Sequence, residues 1–164
     1  MKMTIILLAL LLSQPIMAAL DFTDSGPAPG NMRFAWVHGS LSAKANTDVR
    51  VQVHRYNEHT YILRQNPAVH WEAPFMYLLF GEKHVVLLDT GATLQDDYFP
   101  LRQTVDALIE RWQQANDISD VQLIVLPLGS ELSQTEGLGQ FEGRANTRVL
   151  AATASGRKSL MAGQ

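Results

Sequence analysis

The chain has 164 residues, of which 46% are hydrophobic and 18% charged, and its formal net charge is −3 at pH 7. This composition is typical of one globular domain, and without a basic cluster it argues against nucleic acid or an anionic membrane surface as partner. The lack of cysteine excludes disulfides, thiolate metal sites and cysteine nucleophiles.

Residues 1–19 have the pattern of a secretory signal peptide. Lys2 precedes an apolar run, Ile5–Leu12, and Ala18 and Ala19 are the small residues that signal peptidase prefers. The run is shorter than the ~20 residues that span a bilayer, so we expect cleavage and no remaining membrane anchor, with an uncleaved anchor as the alternative. The mature protein is therefore predicted to be exported, either to the periplasm or out of the cell.

Two β-hairpins are predicted after an extended lead-in over residues 20–48, which begins with glycine, proline and small polar residues. Apolar and polar residues alternate from 49 to 64 on either side of a polar turn, which indicates the first hairpin. Two continuous apolar runs between 76 and 88 predict a second hairpin that is buried on both faces.

A helix is expected to begin near Pro100, because apolar residues recur at helical spacing from there to Trp112. The apolar run 122–126 then predicts a strand. Another helix is expected to open at Ser133, where Glu136 three residues later would complete a capping box.

The chain is expected to finish with a short strand over 147–151 and a disordered tail over 155–164. The elements place one domain at 49–154. Its N-terminal β-hairpins are followed by a β-α-β-α-β order, which predicts an α/β fold built in layers.

Three segments resemble the N-terminal half of the metallo-β-lactamase superfamily. They are EAPFMYLLFGEKHVVLLDTGAT (72–93), PLRQTVDALIERW (100–112) and LIVLPLGSELSQTEGLGQF (123–141). The most specific feature is Asp89-Thr90-Gly91, which stands after a hydrophobic hairpin and before a helix. The resemblance implies a partial αβ/βα sandwich and, in an active member, hydrolysis by zinc-activated water.

In that family, the strand after the helix runs into an H-x-H-x-D-H loop that binds Zn²⁺. The resemblance puts its first His on Pro127, its second on Gly129, its Asp on Ser133 and its last His on Gln134. None of these side chains is a strong zinc ligand, and Glu131 between them is the one credible donor. Since a catalytic zinc takes about three protein ligands, we expect a protein that has lost its zinc motif, its cofactor and its activity.

Two other functions stay open. One is a metal-dependent hydrolase with zinc as cofactor and Glu131 as catalytic residue. Its rearranged ligand set would be Asp89, Glu131 and Glu136 with one or more of His54, His59 and His70. In this arrangement, His54 and His59 would face each other across the first hairpin. The other is a small structural or partner-binding periplasmic module. For Asp89, the structural alternative is a strand-end turn in which its carboxylate accepts backbone N–H groups.

The resemblance covers only the first half of a longer fold. Members of the family continue through a second β-sheet half with more His and Asp ligands, whereas this sequence stops at Gln164. A truncated or decaying gene product is therefore one expectation. A half-sandwich would also expose an apolar sheet face, which predicts a homodimer or a partner chain that covers it.

Overall fold

The computed structural model describes residues 29–40, 42–151, 153, 155 and 158. The predicted signal peptide, the first part of the lead-in and most of the predicted tail therefore lie outside the described residues. In the described part of the chain, no helix is long and apolar enough to cross a membrane.

The described chain forms a six-stranded mixed sheet whose strands lie side by side in sequence order. The strands are β1 (Val51–Arg55), β2 (Thr60–Gln65), β3 (Phe75–Phe80), β4 (His84–Leu88), β5 (Gln122–Leu126) and β6 (Thr147–Val149). The first four strands pair antiparallel, as two successive hairpins require, and β4–β5 and β5–β6 are parallel. The predicted α/β class and both hairpins are confirmed.

Helix α1 (Leu101–Asn116) crosses over between the parallel strands β4 and β5. Its buried residues share one stripe and are the ones that the helical spacing predicted: Leu101, Val105, Leu108, Ile109 and Trp112. The helix ends at Asp117, which adopts the left-handed conformation (φ 53°) and donates its N–H to the Gln113 carbonyl.

The main core lies between α1 and one face of the sheet. The strand residues that fill it are the inward half of each alternating strand: Leu63, Met76, Leu78, Val85, Leu87, Leu123 and Val125. The prediction that the second hairpin is buried on both faces is wrong, because Phe75 and Tyr77 are 39% and 38% exposed. Successive strand residues point to opposite faces, and α1 covers one face alone.

The opposite sheet face is covered in part by the N-terminal lead-in. The Phe34 ring stacks on His54 (centroids 4.3 Å apart), and Trp36 meets Phe75 edge-on at 5.0 Å. Farther along this face, Val86 and Leu88 are half-buried against Ile124, Leu126 and Leu150. The homodimer or partner chain that would cover this face remains a prediction.

The segment after β5 differs from its prediction. Helix α2 (Leu132–Thr135) begins one residue before Ser133 and gives way to a 3₁₀ helix, Glu136–Phe141, so the capping box is wrong. The physical reason is tertiary: the carbonyl of Gln134 accepts the N–H and the hydroxyl of Thr90, both at 2.9 Å. A carbonyl engaged by a distant loop does not extend the α-helical hydrogen-bond ladder.

Candidate functional site

The parallel strands β4 and β5 end beside each other, at Leu88 and Leu126. In open α/β sheets, ligands bind at the carboxyl ends of such strands, where the following loops meet. The two loops here are 89–93 and 127–136, which are the segments that carry the sequence resemblance. We therefore place the candidate site at this edge of the sheet.

Asp89 joins the two loops. Its side chain is 7% exposed, and its carboxylate accepts the Leu128 N–H at 2.7 Å and a hydrogen bond from the Gln134 side chain. Burial raises the pKa of Asp89, and these two hydrogen bonds oppose the rise. The backbone of Asp89 is left-handed (φ 62°), which is uncommon for a residue other than glycine. The carboxylate thus accepts a backbone N–H at a strand end, as in the structural alternative.

Two backbone contacts bring the 3₁₀ helix against the Asp89-Thr90-Gly91 loop. A side chain at Gly137 would overlap the Thr90 carbonyl oxygen. Gly91 has φ 75°, and a Cβ there would lie 2.6 Å from the Phe99 ring. Glycine is needed at both positions because the neighbouring atoms approach the backbone directly.

Two buried glutamines hold the rest of this loop, and sequence analysis missed both. Gln65 is fully buried; its Oε1 accepts the Ala92 N–H at 2.8 Å, and its Nε2 donates to the Thr93 hydroxyl at 2.7 Å. The Gln140 Nε2 donates to the Phe99 carbonyl at 2.9 Å and to the Thr93 carbonyl at 3.2 Å. For Gln65 a signal existed: it occupies an inward strand position, where a polar side chain requires hydrogen-bond partners.

The zinc-binding motif of the family, H-x-H-x-D-H, has six positions. Six motif positions that end on Ser133 and Gln134 begin at Gly129, not at Pro127, and they put the second His position on Glu131. The Gln134 side chain lies against Gly129, where an added Cβ would overlap its amide, and it also reaches Asp89. Pro127 is buried and carries no donor.

Of the predicted histidine ligands, His54 and His59 belong to the first hairpin, whereas His70 lines the cavity beside the two loops. The register pairs His54 with Ile62, so the prediction that it faces His59 across the hairpin is wrong. Instead, the His54 Nε2 lies 2.5 Å from the Asn31 carbonyl, and the ring is 4% exposed. The N–H of His59 donates to the Asn57 side chain within the turn. These contacts give His54 a structural place between the lead-in and the sheet.

The donor set does not fit a catalytic zinc. Among the described residues, no three His, Asp or Glu side chains come together as a metal-binding group. Asp89 is engaged by Leu128 and Gln134, and His54 by the lead-in. A catalytic zinc requires about three protein ligands around one point, and this arrangement does not supply them.

A cavity of about 700 Å³ opens beside the same loops. Ala92 and Thr93 line it immediately after the Asp89-Thr90-Gly91 loop, and Glu136 lines it from the start of the 3₁₀ helix. The charged and aromatic side chains that complete the lining are Lys44, Arg50, His70 and Tyr98. A concave site with a few polar groups among apolar ones is the usual form of a small-molecule site.

Two substitutions of Asp89 distinguish the effect of its hydrogen bond on stability from the effect of its charge. Asp89→Ala is expected to lower the free energy of unfolding by about 1–3 kcal/mol, because the Leu128 N–H loses its buried acceptor. Asp89→Asn keeps an acceptor oxygen, so we expect it to be at least as stable as the native protein at pH 7. The measurement is urea unfolding of all three proteins across a pH series.

The sign of the pH effect follows from the raised pKa of Asp89. Folding disfavours the ionised carboxyl, so the contribution of Asp89 to stability is greatest below its ordinary pKa of 3.8 and declines as the pH rises through the raised value. Asp89→Asn should remove this decline. An Asn variant as unstable as the Ala variant at every pH would contradict both expectations.

No protein-family model and no curated protein matches the chain. Solved structures do. A metallo-β-lactamase from Erythrobacter litoralis is 14% identical at a TM-score of 0.46, over 71% of this chain and 47% of that one. One from Pontibacter korlensis is 14% identical at 0.40, over 66% and 47%. FIM-1 from Pseudomonas aeruginosa, in its mono-zinc form, is 11% identical at 0.40, over 71% and 48%.

The chain spans about half the length of these solved structures, 47% to 48%. All three are metallo-β-lactamases.

Proposed function

We propose that this chain is an exported, metallo-β-lactamase-like protein without a catalytic zinc centre, which acts by binding rather than by hydrolysis. One observation supports the proposal: Gln134, onto which the sequence resemblance puts the last His of the family motif, donates a side-chain hydrogen bond to Asp89. The groups of loop 127–136 that bond to Asp89 are therefore the neutral Gln134 side chain and the Leu128 backbone N–H.

The chemistry of the other motif positions supports the same reading. Gly129 has no side-chain donor, and the neutral oxygens of Ser133 and Gln134 are weak zinc ligands beside imidazole or carboxylate. Glu131 is exposed and is the one strong donor among the motif positions. One carboxylate cannot hold zinc and leave an open position for an activated water.

The binding role is supported by the cavity next to these loops. Its walls belong to segments that buried hydrogen bonds already fix, such as those of Gln65 to Ala92 and Thr93. A site whose walls are fixed before binding loses less conformational entropy when a ligand enters. Export belongs to the proposal through the signal-peptide pattern of residues 1–19.

Zinc content tests the proposal. The mature chain, residues 20–164, is dialysed against trace zinc and examined by elemental analysis, and it is assayed on ester, thioester and β-lactam substrates with and without a chelator. We expect clearly substoichiometric zinc and no chelator-sensitive hydrolysis. Glu131→Ala should give the same values as the native chain, because the proposal assigns Glu131 no catalytic part.

The rearranged hydrolase makes the opposite prediction. One equivalent of tightly held zinc, together with hydrolysis that disappears on chelation and in Glu131→Ala, would establish that alternative and end the proposal. A matched Glu142→Ala variant serves as control, since Glu142 is an exposed carboxylate beyond the 3₁₀ helix.

A further inference from the structure

We infer that the cavity beside the Asp89-Thr90-Gly91 loop binds a small monoanion that joins a carboxylate to an apolar or aromatic body. The inference rests on the proposed function, since it names a ligand class for that binding role. Arg50 is the residue that recognises the carboxylate, and Tyr98 is the wall for the apolar body.

Arg50 is oriented but not neutralised. Its guanidinium lies over the Tyr98 ring, 6.0 Å from the centroid. Salt bridges in the described part of the chain join Asp106 to Arg102 and Arg144, and Arg50 has none there. A guanidinium placed over a ring face keeps its edge N–H groups available, and their planar fork matches the two oxygens of a carboxylate.

One buried side chain fixes the wall that carries Arg50. Asn66 is fully buried, and its backbone N–H donates to the Arg50 carbonyl at 2.9 Å. Its Nδ2 donates to the Val49 carbonyl at 2.9 Å, and its Oδ1 accepts the Ala68 N–H at 2.7 Å. Arg50 and Ala68 both line the cavity, so two of its walls are tied together before any ligand binds.

A carboxylate in the lining limits the charge of the ligand. Glu136 lines the cavity together with the cations Lys44 and Arg50. A second negative charge on the ligand would be repelled by this carboxylate. A carboxylate therefore suits the site better than a dianion such as a phosphate monoester.

The rest of the lining suits an uncharged body. Alanine and valine side chains form much of it: Ala43, Ala68, Val69 and Ala92. The Tyr98 ring is 64% exposed, so a flat face is open to a second ring. Aromatic pairs contribute beyond the apolar area that they bury, so a ligand ring against Tyr98 adds affinity to the charge pairing.

The probe is phenylacetate, which has one carboxylate and one ring. It is titrated into the ¹⁵N-labelled mature chain, and amide shifts are followed at Val69, Ala92 and Thr93. We expect saturable shifts with a dissociation constant in the millimolar range, as suits a ligand of this size. Phenylacetamide, which has the same shape without the charge, and phenyl phosphate should each bind more weakly.

Variants of Arg50 test whether this residue binds the carboxylate of phenylacetate. Arg50→Gln should weaken phenylacetate binding about tenfold, which corresponds to one charge-assisted hydrogen-bonded pair. Arg50→Lys keeps the charge but not the planar fork, so its affinity for phenylacetate should lie between those of the native chain and Arg50→Gln. Arg111→Gln is the matched control, because Arg111 is an exposed arginine of α1 that does not line this cavity, and it should bind like the native chain.

Several results would overturn the inference: equal binding of phenylacetate and phenylacetamide, native affinity in Arg50→Gln, or tighter binding of phenyl phosphate. Zinc content and hydrolysis are measured on the same samples. Phenylacetate binding by a zinc-loaded, hydrolytic protein would sink the proposed function and leave this inference standing. If a zinc-free, inactive protein does not bind phenylacetate, the proposed function stands and this inference is wrong.

Discussion

Replacing Phe99 by alanine is expected to lower the free energy of unfolding by about 3–5 kcal/mol, the usual range for a buried aromatic side chain. Phe99 is fully buried and lies between the Asp89-Thr90-Gly91 loop and the start of α1. Its ring packs directly on Gly91, and its carbonyl accepts the Gln140 side chain. These contacts leave the surroundings little freedom to collapse into the cavity that alanine would create.

Urea unfolding followed by tryptophan fluorescence would measure this loss. Tyr98→Ala is the matched control, because the neighbouring side chain is 64% exposed and should contribute below about 1 kcal/mol. Similar losses from the two variants would mean that Phe99 is not a core residue. The packing of the loop on α1 would then need to be revised.

Gly137→Ala is the second substitution with a large expected effect, about 1–3 kcal/mol of destabilisation. The added methyl group would overlap the carbonyl oxygen of Thr90. That carbonyl cannot move easily, because the N–H and hydroxyl of Thr90 are both bonded to the Gln134 carbonyl. Relief of the overlap would therefore separate the two loops that form the candidate site.

Gly139→Ala tests whether the effect comes from this contact rather than from losing a glycine in the 3₁₀ helix. A Cβ at Gly139 meets only the end of the Leu94 side chain, which is 45% exposed and can turn away. We expect a change within about 0.5 kcal/mol. Thermal unfolding of both variants is the measurement, and equal losses would contradict the close approach at Gly137.

The stability of this edge and its proposed function are connected. Asp89, Gln134, Gln65 and Gln140 hold the loops by hydrogen bonds in which one partner is usually a backbone group. Such bonds set the positions of Ala92, Thr93 and Glu136 along the cavity. A substitution that loosens the loops, such as Gly137→Ala, should therefore also weaken phenylacetate binding.

Local patterns in the sequence were enough to predict the strands of both hairpins and the buried stripe of α1. Alternation with a period of two and recurrence every three to four residues are properties of neighbouring residues, so they are visible without a partner. The Asp89-Thr90-Gly91 strand end and the weak donors at Ser133 and Gln134 were visible for the same reason. Which donor and acceptor atoms a side chain carries does not depend on the fold.

Contacts across long separations in the chain could be known only after folding. Gln65 meets Thr93, Gln140 meets Phe99, and Arg50 lies over Tyr98, pairs that no local pattern links. The one-sided burial of the second hairpin and the end of α2 at Thr135 likewise depend on where α1 and Thr90 lie. A sequence indicates which side chains avoid water, whereas strand order and register settle which of them meet, because the hydrophobic effect has no direction and hydrogen bonds do.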